Sequence, residues 1–96
     1  MAGKYPTFEA YVTGVQTKVA EEVFRRIVER TPVDTGAARD SWELNFVPAG
    51  HRISSDIPYM NRLEHGWSQQ APSGMVRITL MELDDIAETI KRQENR

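Results

Sequence analysis

Ninety-six residues with a net charge of -2 make one domain with a single core. The near balance of acids and bases argues against a phosphate-tracking surface, and the absence of cysteine removes disulfide frameworks, thiolate nucleophiles and zinc-thiolate sites. No apolar run approaches the roughly 18 to 20 residues that span a bilayer, and the opening MAGKYPTFEAY lacks a signal-peptide core, so the reading is a soluble, intracellularly made protein without membrane contact.

Met1 to Pro6 reads as a loose arm, with Thr7 placed to cap a helix just after Pro6. Phe8, Val12, Val15, Val19, Val23 and Ile27 recur every three or four residues, and Tyr11, Phe24 and Val28 widen the stripe. The spacing predicts a helix over 7–30, about 35 Å long. Its other face carries Lys18, Glu21, Glu22, Arg25, Arg26 and Glu29, where Glu21 before Arg25 and Glu22 before Arg26 have the favourable orientation for solvated ion pairs. Tyr11-Val12-Thr13-Gly14 is poor helix material, so a kink or a late start falls there.

Pro32 stops the helix after Arg30 and pushes Thr31 to extended geometry. Pro32, Asp34, Thr35 and Gly36 then form a turn, the short polar side chains bonding nearby backbone and the glycine taking a positive φ. The apolar period changes to two. Trp42, Leu44 and Phe46 alternate with Ser41, Glu43 and Asn45, which predicts a strand over 39–47 with three large apolar side chains on one face. Pro48-Ala49-Gly50 is a hairpin connection to a second strand over 52–57, with Ile53, Ser55 and Ile57 on one side. Two strands are marginal in water, so they require the helix across their apolar face and a further strand from the chain or from a neighbour. Either edge of so small a sheet could accept a partner strand.

Pro58 ends the second strand, and Tyr59 to His65 suggests a helical turn closed by Gly66. Trp67 to Gly74 is a polar loop carrying one large aromatic, the composition of a contact-making segment. From Gly74 onward, Val76, Leu80, Leu83, Ala87 and Ile90 predict a second amphipathic helix, with Asp84, Asp85 and Glu88 ahead of Lys91 and Arg92 as the helix dipole favours. The fold class is α+β: a long N-terminal helix and a C-terminal helix packed on a small antiparallel sheet, in one domain over 1–96. Val19, Val23, Ile27, Trp42, Leu44, Phe46, Leu80 and Leu83 are the expected core.

No chemistry of turnover emerges. Ser41, His51, His65 and the aspartates form a triad only on paper, because no serine sits in a Gly-x-Ser-x-Gly elbow and His51 falls in the expected hairpin turn as a solvated residue. The two histidines and the adjacent Asp84-Asp85 do not converge as metal ligands, and Gly66 and Gly74 lack the Walker spacing and its lysine. No catalytic residue, cofactor, metal or small-molecule ligand is expected.

Two blocks carry a resemblance. Pro32-Val33-Asp34-Thr35-Gly36 followed by Arg39 and Ser41-Trp42-Glu43 resembles the signature of the head-to-tail joining, or tail-completion, proteins of long-tailed phages. Pro58-Tyr59, Leu63-Glu64, Gly66, Ser68, Gln70-Ala71-Pro72 and Gly74-Met75-Val76-Arg77 are similar to a second motif of that family in order and spacing. Blocks and connection cover roughly half the chain. Ala38 departs from the larger apolar residue that often follows the turn in the family, which leaves the packing under the turn open.

The resemblance implies a non-catalytic virion protein, made in the host cytoplasm and assembled at the head-tail junction. It would act as a ring, six copies being the number that matches a tail tube. Its partners would be further copies of itself, the tail tube or tail terminator protein, the head-completion or connector protein, and DNA in the channel. The motif turn would be Pro32, Asp34, Thr35, Gly36 and Arg39, and the candidate interface Arg39, Glu64, Trp67, Gln70, Pro72 and Arg77. From residue chemistry alone, Arg39 pairs within the chain, with Asp34 or Glu43. The alternatives are a small regulatory protein or enzyme, and a module that contacts nucleic acid through clustered arginines despite the negative net charge.

Overall fold

The computed structural model describes residues 8–31, 37–58, 60 and 74–95. In chain order these form β1 (Phe8–Val12), α1 (Thr17–Arg30), α2 (Ala37–Asp40), β2 (Glu43–Val47), β3 (Gly50–Ser55), α3 (Met75–Met81) and α4 (Leu83–Glu94). The strands make one antiparallel sheet in the order β1-β3-β2, and the N- and C-terminal helices pack against it, so the α+β class holds.

The third strand comes from within the chain, out of the segment whose apolar spacing predicts the start of a helix. Phe8–Val12 pairs residue for residue with Ser55–His51. Gly14 takes φ +72, which lets the chain turn from β1 into α1, and α1 begins at Thr17 after Gln16, with no side-chain cap. The helix is therefore 14 residues long, not the full run over 7–30. Tyr11, which would have widened the helical stripe, stands on the solvent face of β1 and is 53% exposed.

β2 is shorter than the expected strand because Ala37–Asp40 closes a helical turn, with the Ser41 amide bonded back to the Ala38 carbonyl. Pro48 and Ala49 form a two-residue hairpin between Val47 and Gly50, and β3 ends at Ser55 instead of Ile57. The expected single C-terminal helix is interrupted at Glu82, whose N–H bonds the Thr79 carbonyl at 3.0 Å and whose own carbonyl accepts from Ile86 N–H at 2.9 Å. The break starts a new first turn, containing Asp84 and Asp85, at the favourable end of α4.

The core lies where α1 meets β3 and the C-terminal helices. Val19, Val23, Ile27, Trp42, Ile53, Met60, Met75, Val76 and Ile86 are buried in one cluster, with Leu44, Leu80 and Leu83 partly buried against it. Ala38 is buried there too, so the small residue after the turn segment packs against the core. Phe46 is the exception among the expected core residues. It alternates with Leu44 as required but lies on the edge strand at the hairpin end and is 72% exposed, its ring tilted against that of His51 at 5.2 Å. His51 is displaced in the opposite sense. It belongs to β3, is 6% exposed, and its Nε2 sits 3.4 Å from Thr17 Oγ1 at the start of α1.

Candidate interaction surface

Arg39 is the one residue of the motif turn among the described residues; Pro32, Asp34, Thr35 and Gly36 lie outside them. The short helix α2 aims its guanidinium at the end of α1, where Nε donates to the Thr31 carbonyl at 2.9 Å and Nη2 to the Glu29 carbonyl at 2.8 Å. A cation at the carbonyl end of a helix satisfies acceptors that no intrahelical N–H can reach and complements the dipole. Arg39 thus acts within the chain, on backbone carbonyls; of the two carboxylates that residue chemistry offered it, Asp34 lies outside the described residues.

Thr31 is the hinge of this corner. Its backbone is extended, as the following proline demands, and its buried hydroxyl donates to the Ile27 carbonyl at 2.7 Å while accepting the Trp42 indole N–H at 2.8 Å. Phe8 meets Trp42 edge to face at 6.0 Å, which ties β1 to the same point. Ser41 and Ser55 add a 2.6 Å hydroxyl contact from the start of β2 to the end of β3.

The other arginines of α1 are held by carboxylates. Glu22 accepts from Arg25 and Arg26, Arg25 also reaches Glu29 at 2.6 Å, and Glu82 accepts from Arg26 Nη1 at 2.9 Å and Arg30 Nη2 at 2.8 Å. The expected Glu21–Arg25 pair gives way to Glu22 and Glu29, which lie on the side of the helix turned toward Arg25. Arg25 and then Arg26 hold the Glu22 carboxyl down to about 2 against the opposing effect of burial. Arg30 and Arg26 lower Glu82 in the same way. Arg30 also donates to Thr79 Oγ1 at 2.8 Å, so one guanidinium spans the end of α3 and the break.

Between α1 and α4 runs a half-open groove of about 660 Å³ with Ile86 and Ile90 among its lining residues and Lys18, Glu22, Arg26 and Glu94 beside them. Its lining mixes both signs of charge. No helix among the described residues is long and apolar enough to cross a membrane, and no group of three or more His, Asp or Glu among them could hold a metal ion.

No family model, no curated protein and no solved structure matches the chain. Of the candidate interface, Glu64, Trp67, Gln70 and Pro72 lie outside the described residues, and Arg77 is exposed on α3. Sheet edges were expected, but residue spacing missed that β1 forms one of them and that Phe46 stands exposed on the other. With β3 central, β1 and β2 are the outer strands, neither paired on its far side among the described residues, and Phe46 and Tyr11 stand exposed on them. The signal was present in Phe8, Ala10 and Val12, which alternate as strand residues while Phe8 and Val12 also satisfy a helical period.

Proposed function

We propose that this chain is a non-catalytic virion structural protein of the tail-completion type, assembling as a ring at the head-tail junction of a long-tailed phage. The observation that carries the reading is the pair of sequence blocks, Pro32 to Glu43 and Pro58 to Arg77, standing in one chain in the family's order. The α+β layering agrees with what that resemblance implies, and a sheet whose two outer strands pair with no further strand among the described residues suits a protein whose work is association. The partners are further copies, the tail tube or terminator, and the connector. The protein is made in host cytoplasm and ends in the virion.

A nucleic-acid module is the weaker reading. Arg25, Arg26 and Arg30 are paired with Glu22, Glu29 and Glu82, so these three arginines offer phosphates little uncompensated charge.

The deciding experiment is light scattering of the purified protein over a wide concentration range, alone and with isolated tail tubes. A closed ring, free or on the tubes, is the expected result. A chain that stays monomeric and ignores tubes overturns the reading.

A further inference from the structure

We infer that the sheet continues from copy to copy, the outer edge of β2, unpaired among the described residues, receiving β1 of the next copy in parallel and two residues out of step. This rests on the ring reading above and adds to it a surface, a direction and a register.

Both outer strands run antiparallel to β3 and therefore parallel to each other. Copies related by rotation about an axis to which the strands are inclined thus bring β1 beside β2 in the same direction, the inclination supplying the offset, with the helices all on one face of the joined sheet. The two strands are each five residues long. Neither contains proline or lysine, and both pair with β3 one to one without a bulge, so these three devices that blunt an edge are missing from both. Phe46 lies at the β2 edge on the helix-bearing face, 72% exposed, where a neighbouring strand would cover it.

Charge selects the register. Glu9 and Glu43 both lie opposite Ser54, in one row on the face away from the helices. Joining copies with rows level sets Glu43 against the next copy's Glu9, and like charges directly opposite are destabilising. A shift of two residues sets Leu44, Asn45, Phe46 and Val47 beside the neighbour's Phe8, Glu9, Ala10 and Tyr11. The Asn45 amide then faces a carboxylate, Leu44 and Phe46 join the apolar row of Phe8 and Ala10, and Val47 meets Tyr11. The opposite shift leaves only Glu43 and Leu44 paired.

The chain has no cysteine, so introduced thiols report position without background. Under conditions in which wild-type protein forms a ring, the double variant Glu9→Cys, Asn45→Cys treated with a short bis-maleimide is expected to give a covalent ladder in steps of 11.0 kDa. Either single variant alone gives no ladder, and an equal mixture of the two gives dimers only. The level pair Glu9→Cys, Glu43→Cys crosslinks several-fold less. Phe46→Lys is expected to weaken self-association by about 10-fold or more with unchanged circular dichroism, and Phe46→Ser by less. A ring that persists in light scattering while the double variant gives no ladder and Phe46→Lys assembles as wild type overturns strand continuation and leaves the ring reading standing. A protein that is monomeric alone and with tubes overturns both.

Discussion

The Trp42 indole donates its N–H to the Thr31 hydroxyl at 2.8 Å, and that hydroxyl in turn donates to the Ile27 carbonyl at 2.7 Å. Both side chains are buried, so the indole N–H has no water to fall back on. Thr31→Val keeps the shape and strands the donor, and is expected to cost about 1 to 3 kcal/mol. Trp42→Phe removes the donor while Thr31 keeps its bond to Ile27, so the double variant loses less than the sum of the singles. Urea unfolding followed by circular dichroism measures all three.

Glu82 joins α1 to the break between α3 and α4 through Arg26 and Arg30. The pairs are about one-third exposed, and solvent screening limits their worth, so Glu82→Gln is expected to destabilise by about 1 kcal/mol or less. Arg30→Ala also deprives Thr79 of a donor and is expected to cost somewhat more. Thermal melts at low and high salt separate the screened part from the rest.

Glu22 and Glu82 are both held below the ordinary 4.5 by arginine hydrogen bonds, Glu22 to about 2. A depressed carboxylate contributes stability that is complete above its unfolded value and is lost as pH falls toward the folded one. Stability is therefore expected to be level above about pH 5 and to decline from about pH 4.5 toward pH 2. Glu22→Gln flattens that decline. Urea midpoints at a series of pH values check it.

Gly50 closes the hairpin with φ +142, and a Cβ there would sit 2.7 Å from the Val12 carbonyl oxygen and 3.1 Å from Thr13 Cα. Backbone cannot give way as a side chain would. Gly50→Ala is expected to cost about 2 kcal/mol or more and to loosen β1 from β3. Hydrogen exchange at Ala10 to Val12 reports the second effect directly.

Leu44 and Phe46 occupy the same alternation but different depths. Leu44→Ala is expected to cost about 2 kcal/mol and Phe46→Ala under about 1 kcal/mol, a contrast that a matched pair of urea titrations resolves.

The order of helix, hairpin and C-terminal helix was legible in the chain because each has a local cause. Pro32 ends α1, the period-two run from Trp42 marks β2, and the Val19, Val23, Ile27 spacing makes the buried stripe. These are properties of neighbouring residues, and no tertiary partner is needed to state them. Arg39 was recognisable as a residue with a task, but its acceptors, the Glu29 and Thr31 carbonyls, exist only once α1 stops where it does and α2 folds back on it.

β1 belonged to the tertiary structure. Phe8 and Val12 satisfy a helical period as well as a strand period, so hydrophobic spacing cannot choose between them. The choice is made by β3, which has a second edge to satisfy and finds it in Phe8–Val12, whose β-branched and aromatic residues and following glycine resist a helix. The same cause exposes Phe46 and buries His51. A strand's alternation says which face a side chain takes, while its place in the sheet, on a central or an outer strand and near or far from the hairpin end, decides whether anything covers it.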